Sequence, residues 1–358
     1  RAAGPYVRPF MFGVISPRLL RRGLELFAAI SLLGFVGLLF YGNNLALFLD
    51  AMVSLQWGWV LAGVALVTVE WLGGGLRVWV LTRHVHTQPS MFGSILAGGL
   101  NAWAGFLTPA QAGGGPLMIY TLKRYGVPIP EAMISTLMTF VATIAFFALA
   151  GPLAVFLGAG RSLEQHGILG VMTLYDLFRL SLGGFLTVGV VMVLLFVFPG
   201  AARAVARTLV GWLEAHGSAR LASRVEAMRD GIDRSHECLV AFFRGKGWLA
   251  LAAAVLVSPL AFTNRLLAGY VVLRALGIEA HLIDVLLLQT LITFLLYFAP
   301  TPGGSGLAEV LSAAVMSIYV PRELTPSYIL LWRVIGCYIT VAVGSVIFWR
   351  WLRVAEES

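Results

Sequence analysis

Apolar residues fall into six runs, at 24–41, 57–81, 132–157, 182–198, 248–273 and 328–349. Each is long enough to cross a bilayer core as a helix, which takes about 17–25 residues. Two further apolar stretches are interrupted. The first, 90–106, runs into Thr108-Pro109-Ala110-Gln111-Ala112-Gly113-Gly114-Gly115-Pro116 and resumes over 117–125. The second, 283–299, runs into Pro300-Thr301-Pro302-Gly303-Gly304-Ser305-Gly306 and resumes over 307–320. Proline and glycine at that density end a helix. Bare backbone is costly in hydrocarbon, so such breaks persist only inside protein or beside water. The pattern predicts an all-α, polytopic integral membrane protein of about six full spans plus two broken re-entrant helical hairpins. The alternative for each break is two ordinary spans joined by a surface loop, against which the short limb 307–320 argues.

Composition and charge sharpen this. Of the 358 residues, 59% are hydrophobic and 12% charged, where soluble domains have about 45–50% and about 25%. Mean hydropathy is +0.87. A soluble enzyme, a disordered chain and a secreted domain are excluded. The net charge is +8, which anionic headgroups and the positive-inside rule explain better than nucleic acid. With the N-terminus inside, eighteen Lys and Arg fall in cytoplasmic segments and three, Arg161, Arg179 and Arg322, fall outside. Both termini are thus expected in the cytoplasm, across a bacterial cytoplasmic (inner) membrane.

The same threading yields a repeat within a single membrane domain, 1–358. Span, span, hairpin, span starts inside over 24–158 and starts outside over 182–350. Like order with opposite orientation is an inverted-topology repeat, in which sites lie where broken helices of the two halves meet. The polar stretch 200–247 reads as a cytoplasmic helical arm, either lying on anionic lipid or solvated, and 161–180 as a shorter outer interfacial helix. No cleavable signal peptide stands out.

Charges placed inside a membrane default to functional candidates. Glu70 and Arg77 share a face of one span, and Arg265 follows Asn264 in mid-span after Pro259. Glu309 stands three residues past Gly306, and Arg333 opens the last span. Arginine forks suit phosphate. The competing use is mutual pairing that locks the bundle, with Glu309 as a structural partner for Arg265. Thr108, Gln111, Thr301 and Ser305 can donate and accept at the breaks. Gly113, Gly114, Gly115, Gly303, Gly304 and Gly306 would let a headgroup approach backbone N–H groups. Glu70 and Glu309 are the proton or ion candidates. His84 and His86 point apart on a helix, and Cys238 and Cys337 lie in unlike settings, so no metal site, cofactor or disulfide is expected. No catalytic constellation is visible.

At 108–120 and 300–309 the sequence resembles the lysylphosphatidylglycerol-synthase transmembrane region, or flippase-like domain, family. The motifs are Thr108-Pro109 followed by Gly113-Gly114-Gly115-Pro116, and Pro302-Gly303-Gly304-Ser305-Gly306-Leu307-Ala308-Glu309. The Arg77 region and Leu122-Lys123-Arg124-Tyr125-Gly126-Val127 are similar too. The resemblance spans roughly 20–350. It implies a polytopic domain that binds phospholipid or a lipid-linked glycan and moves lipid between leaflets. The soluble aminoacyl-transferase domain of such enzymes is not expected in this chain. Many relatives carry an arginine, a glutamate and an arginine where this chain has Gln111, Gly115 and Met118. The resulting expectation is lipid binding and translocation, with a phospholipid or lipid-linked partner and a possible homo-oligomer. The alternative is a membrane enzyme or accessory subunit acting on a lipid-linked substrate without transport.

Overall fold

The computed structural model describes residues 17–42, 45–156, 174–215, 237, 240–243, 245–297 and 299–356. All regular structure among them is helical. The first half holds α1 (Pro17–Gly42), α2 (Leu45–Val53), α3 (Trp57–Val85), α4 (Met91–Leu107), a 3-10 turn (Pro109–Gln111), α5 (Gly114–Arg124) and α6 (Ile129–Phe156). The second holds α7 (Leu174–Val197), α8 (Pro199–Ala215), α9 (Gly247–Ala275), α10 (Leu282–Tyr297), a 3-10 turn (Pro302–Gly304) and α11 (Leu307–Met316). The last helix has two parts, α12 (Thr325–Arg333) and α13 (Ile339–Glu356), joined by a π turn (Val334–Tyr338). Lengths recur in order. Helices α3 and α9 both have 29 residues, α4 and α10 have 17 and 16, and α5 and α11 have 11 and 10.

Four stretches, Trp57–Val85, Ile129–Ala150, Gly247–Ala275 and Arg322–Trp351, are long and apolar enough to cross a membrane. They coincide with four of the six expected spans. The other two fall on α1 and α7, of 26 and 24 residues, about 36–39 Å at 1.5 Å per residue. Helix α4 folds back on α5, and α10 on α11, so each broken stretch is a helical hairpin. The architecture is that of an all-α polytopic membrane protein. Of the interfacial helix read over 161–180, residues 161–173 lie outside the described residues. So do residues 216–236 of the arm, whose first part is α8.

Several hydroxyls carried into these apolar helices are satisfied within their own helix. Thr82, Thr121, Thr139 and Ser258 each donate to the carbonyl four residues back at 2.8–2.9 Å, as hydroxyl side chains can. The two histidines go separate ways. His86 Nδ1 lies 2.8 Å from Glu131 Oε2 and ties α3 to α6, while His84 Nε2 lies 3.1 Å from the Phe242 carbonyl.

The middle of the molecule is the contact of α3 with α9. A Cβ on Gly73 would lie 2.6 Å from the Leu260 carbonyl carbon and 2.8 Å from the Ala261 nitrogen. Lipid tails are as apolar as the helices, so close backbone approach supplies the packing that holds membrane helices together. Two cores flank this contact. One gathers α9, α10, α11 and α12 around the second break, with the Phe147 ring 4.9 Å from Phe262 and 5.1 Å from Phe294. The other gathers α1, α4, α5 and α13 around the first break. Gly73→Val forces α3 and α9 apart and is expected to cost about 1–3 kcal/mol, read as a lower thermal unfolding midpoint in detergent. Gly37→Ala, at a position with nothing within 4 Å, should leave the midpoint in place.

Candidate functional site

The two breaks touch. The Ala110 N–H donates to the Ala299 carbonyl at 3.1 Å, a backbone bond between the two hairpins. Both breaks are the same turn made from different residues. Each opens on an extended threonine, Thr108 (φ −128°) and Thr301 (φ −97°), followed by proline. Next come two residues of positive φ: Ala110 (48°) and Gln111 (56°) in the first break, Gly303 (59°) and Gly304 (66°) in the second. Glycine takes that conformation freely. Alanine and glutamine do not, at about 1–2 kcal/mol each, so the surroundings must impose it. Thr108 does part of this: its hydroxyl donates to the Ala104 carbonyl at 2.7 Å and accepts from the Gly113 N–H at 2.8 Å.

The second break is fastened by an ion pair. Glu309 accepts from Arg333 Nε at 2.9 Å and from the Gly306 N–H at 2.7 Å, a carboxylate in the first turn of α11 where the helix dipole favours it. Arg333 Nη1 donates to the Gly303 carbonyl at 3.1 Å, and Nη2 reaches the hydroxyls of Ser31 and Ser305 at 3.3 Å. Glu309 and Arg333 are 1% and 3% exposed. One guanidinium thus joins α1, the second break, α11 and the last helix.

A second pair joins α3 to α9. Arg265 Nε donates to Glu70 Oε1 at 3.3 Å, and Asn264 Nδ2 donates to Glu70 Oε2 at 3.1 Å and to the Ile335 carbonyl at 3.0 Å. The π turn supports that last bond: the Ile339 N–H reaches back to Val334, not to Ile335 as an α-helical bond would. Arg77 donates to the Thr143 and Ser258 hydroxyls at 3.1 and 3.4 Å, with its guanidinium over the Phe262 ring.

Two cavities meet at this point. A smaller one, about 70 Å³, lies between the breaks and is lined by Thr108, Thr301, Gly303, Gly304, Trp332 and Arg333 among others. A larger one, about 230 Å³, is lined by Glu70, Arg77, Asn101, Gly115, Thr136, Thr139 and Thr143 among others. Ala110, Gln111 and Arg265 line both. The larger wall carries two arginines and one carboxylate, a positive surface suited to a phosphate or carboxylate fork.

Several residues expected to meet a ligand do not line either cavity. Gly113 and Gly114 are packed on Thr108 and on Asn101. The Asn264 amide nitrogen, Ser305, Gly306 and Glu309 are engaged in the bonds above. Arg265 pairs with Glu70, which corrects the pairing of Arg265 with Glu309. In this structure the Glu309 carboxylate is taken up by Arg333 and the Gly306 N–H. The sequence reading missed Ser31, the aromatics Phe106 and Trp332 of the smaller cavity, and the threonine face of α6. The threonines were legible, since positions 136, 139 and 143 recur at helical spacing. Ser31 and the aromatics carry no signal inside apolar runs.

A family model described as the lysylphosphatidylglycerol synthase TM region matches residues 24–344. A UPF0104 membrane protein from Archaeoglobus fulgidus is 24% identical over 300 residues, covering 80% of this chain and 85% of that protein.

The two ion pairs differ in what loss of the acid leaves behind. Glu309→Ala strands a buried Arg333 away from water and is expected to cost about 3–5 kcal/mol of stability. Glu70→Ala leaves Arg265 on the wall of two cavities and should cost less. Thermal unfolding of both variants in detergent checks the order, and a larger loss for Glu70→Ala would invert it.

Proposed function

This chain belongs to the family of the lysylphosphatidylglycerol synthase TM region, and on that premise we propose that it binds the phosphate headgroup of a membrane lipid between its broken hairpins and moves the lipid between leaflets. One observation carries the reading: the breaks from the two halves bond to each other, with a cavity on each side of the residues they share. Arg265 and Arg77 supply the forks that a phosphate needs, while Arg333, on the wall of the smaller cavity, fastens the second break. The matched lengths of α3 and α9, and of the hairpin limbs, support two repeated halves, and the Lys and Arg distribution supports their opposite orientation. In this reading the breaks lie near the bilayer midplane and both termini face the cytoplasm.

Reconstituted proteoliposomes with fluorescent phosphatidylglycerol in one leaflet test the transport. The protein should speed leaflet exchange. Arg265→Gln should slow it about 10- to 100-fold, the worth of a lost charge-assisted contact of about 1.5–3 kcal/mol. Chemically altered lipid without exchange would favour an enzyme acting on a lipid-linked substrate, and neither would favour an accessory subunit.

Orientation has its own test. Single cysteines replacing Arg322 and Arg207, each in a cysteine-free background, are exposed to an impermeant thiol reagent in sealed cells. The Arg322 position should label and the Arg207 position should not. The reverse pattern would overturn the orientation.

A further inference from the structure

Glu70 and Glu309 both hold an arginine, yet their surroundings differ. Glu309 lines neither cavity and caps the α11 backbone as well. Glu70 lines the larger cavity, and its partner Arg265 is, among the described residues, the one charged residue that borders both. A phosphate passing from one cavity to the other therefore passes Arg265, whose Nε is already bonded to a carboxylate oxygen. Glu70 occupies the place that a phosphate oxygen would take.

We infer that Glu70 is a built-in competitor for the anion site at Arg265, so that an arriving phosphate displaces it and Glu70 takes up one proton. The inference rests on the reading that these cavities receive a phosphate headgroup. In the empty state the pair is Arg265 cation and Glu70 anion. In the occupied state Arg265 pairs with the phosphate anion, and Glu70 becomes a neutral acid through a proton drawn from water in the larger cavity. Phosphate and proton enter together, and the charge of the pair's surroundings is unchanged by the exchange.

The groups facing Glu70 fit this account. From α9 they are Arg265 and the neutral Asn264, and from the π turn the buried Cys337. Helix α4 has no titratable residue, α6 has only Glu131, held at its far end by His86, and α13 has none before Arg350. From α3 itself comes Arg77, seven residues on, about 10 Å along the helix axis. Thr143 and Ser258 hold Arg77 there, so it does not take the place of Arg265 at the Glu70 carboxylate. A buried carboxylate that loses its cation neutralises itself by binding a proton. Asn264 remains as a neutral partner for either protonation state.

The test is binding by the full chain in weakly buffered detergent micelles, with phosphatidylglycerol as one probe and inorganic phosphate as the other. Wild-type protein should take up about one proton per phosphatidylglycerol bound. Its affinity should then fall by up to about tenfold per unit rise in pH. Glu70→Gln should bind more tightly at high pH, with no proton uptake and a flat pH profile. Infrared difference spectra should show a protonated carboxyl band on binding in the wild type and not in Glu70→Gln. The wild-type stoichiometry stands even if that variant fails to fold. Proton uptake with inorganic phosphate and no binding of phosphatidylglycerol would assign the site to the free anion and overturn the lipid reading while leaving the competition intact. Phosphatidylglycerol binding without proton uptake, or an unchanged pH profile in Glu70→Gln, would overturn the inference and leave translocation standing. Binding of neither probe would overturn both.

Discussion

Backbone that leaves a helix inside a membrane protein must find its hydrogen-bond partners within the protein. That constraint organises this molecule. The N–H of Ala110 finds the carbonyl of Ala299. The N–H groups of Gly113 and Gly306 find the side chains of Thr108 and Glu309, and the carbonyl of Gly303 finds Arg333. Because the breaks are satisfied by each other and by two or three side chains, they are held against one another. The charged groups arrive at the same place for the same reason, since no other part of an apolar bundle can hold them.

The ion pairs are alike in composition and unlike in role. Glu309 with Arg333 is buried, with nearly every polar atom committed to the second break or to Ser31 even where Arg333 lines the smaller cavity. Glu70 with Arg265 spans the contact between α3 and α9 and borders open space. Burial of the first makes it a fastening. Access to the second would make it replaceable in the reading proposed above, since a charge pair that a ligand can replace leaves no bare charge in a membrane interior.

The hairpins were legible because proline and glycine interrupt apolar runs at matching places, and the spans because bilayer thickness sets a minimum length. The membrane charges were legible as candidates, since arginine and glutamate are conspicuous among apolar neighbours. Their pairing was not. Glu70 and Arg265 are 195 positions apart and meet only because Gly73 lets α3 lie against α9. The left-handed Ala110 and Gln111 were also hidden, because neither residue advertises positive φ as Gly303 and Gly304 do. The π turn left no trace in the apolar run 328–349.

That π turn has a consequence for how one helix can serve two cores. Each residue of an α-helix turns about 100° around its axis. A π turn accommodates an extra residue in the coil, so the faces before and after it are out of phase with a single continuous helix. Tyr328, Leu331 and Trp332 point into the core around the second hairpin, while Val341 and Phe348 point into the core around the first. The two halves of the bundle thus need not share a common helical register. The last helix carries the offset between them, and Arg333 and Ile335 lie at the step.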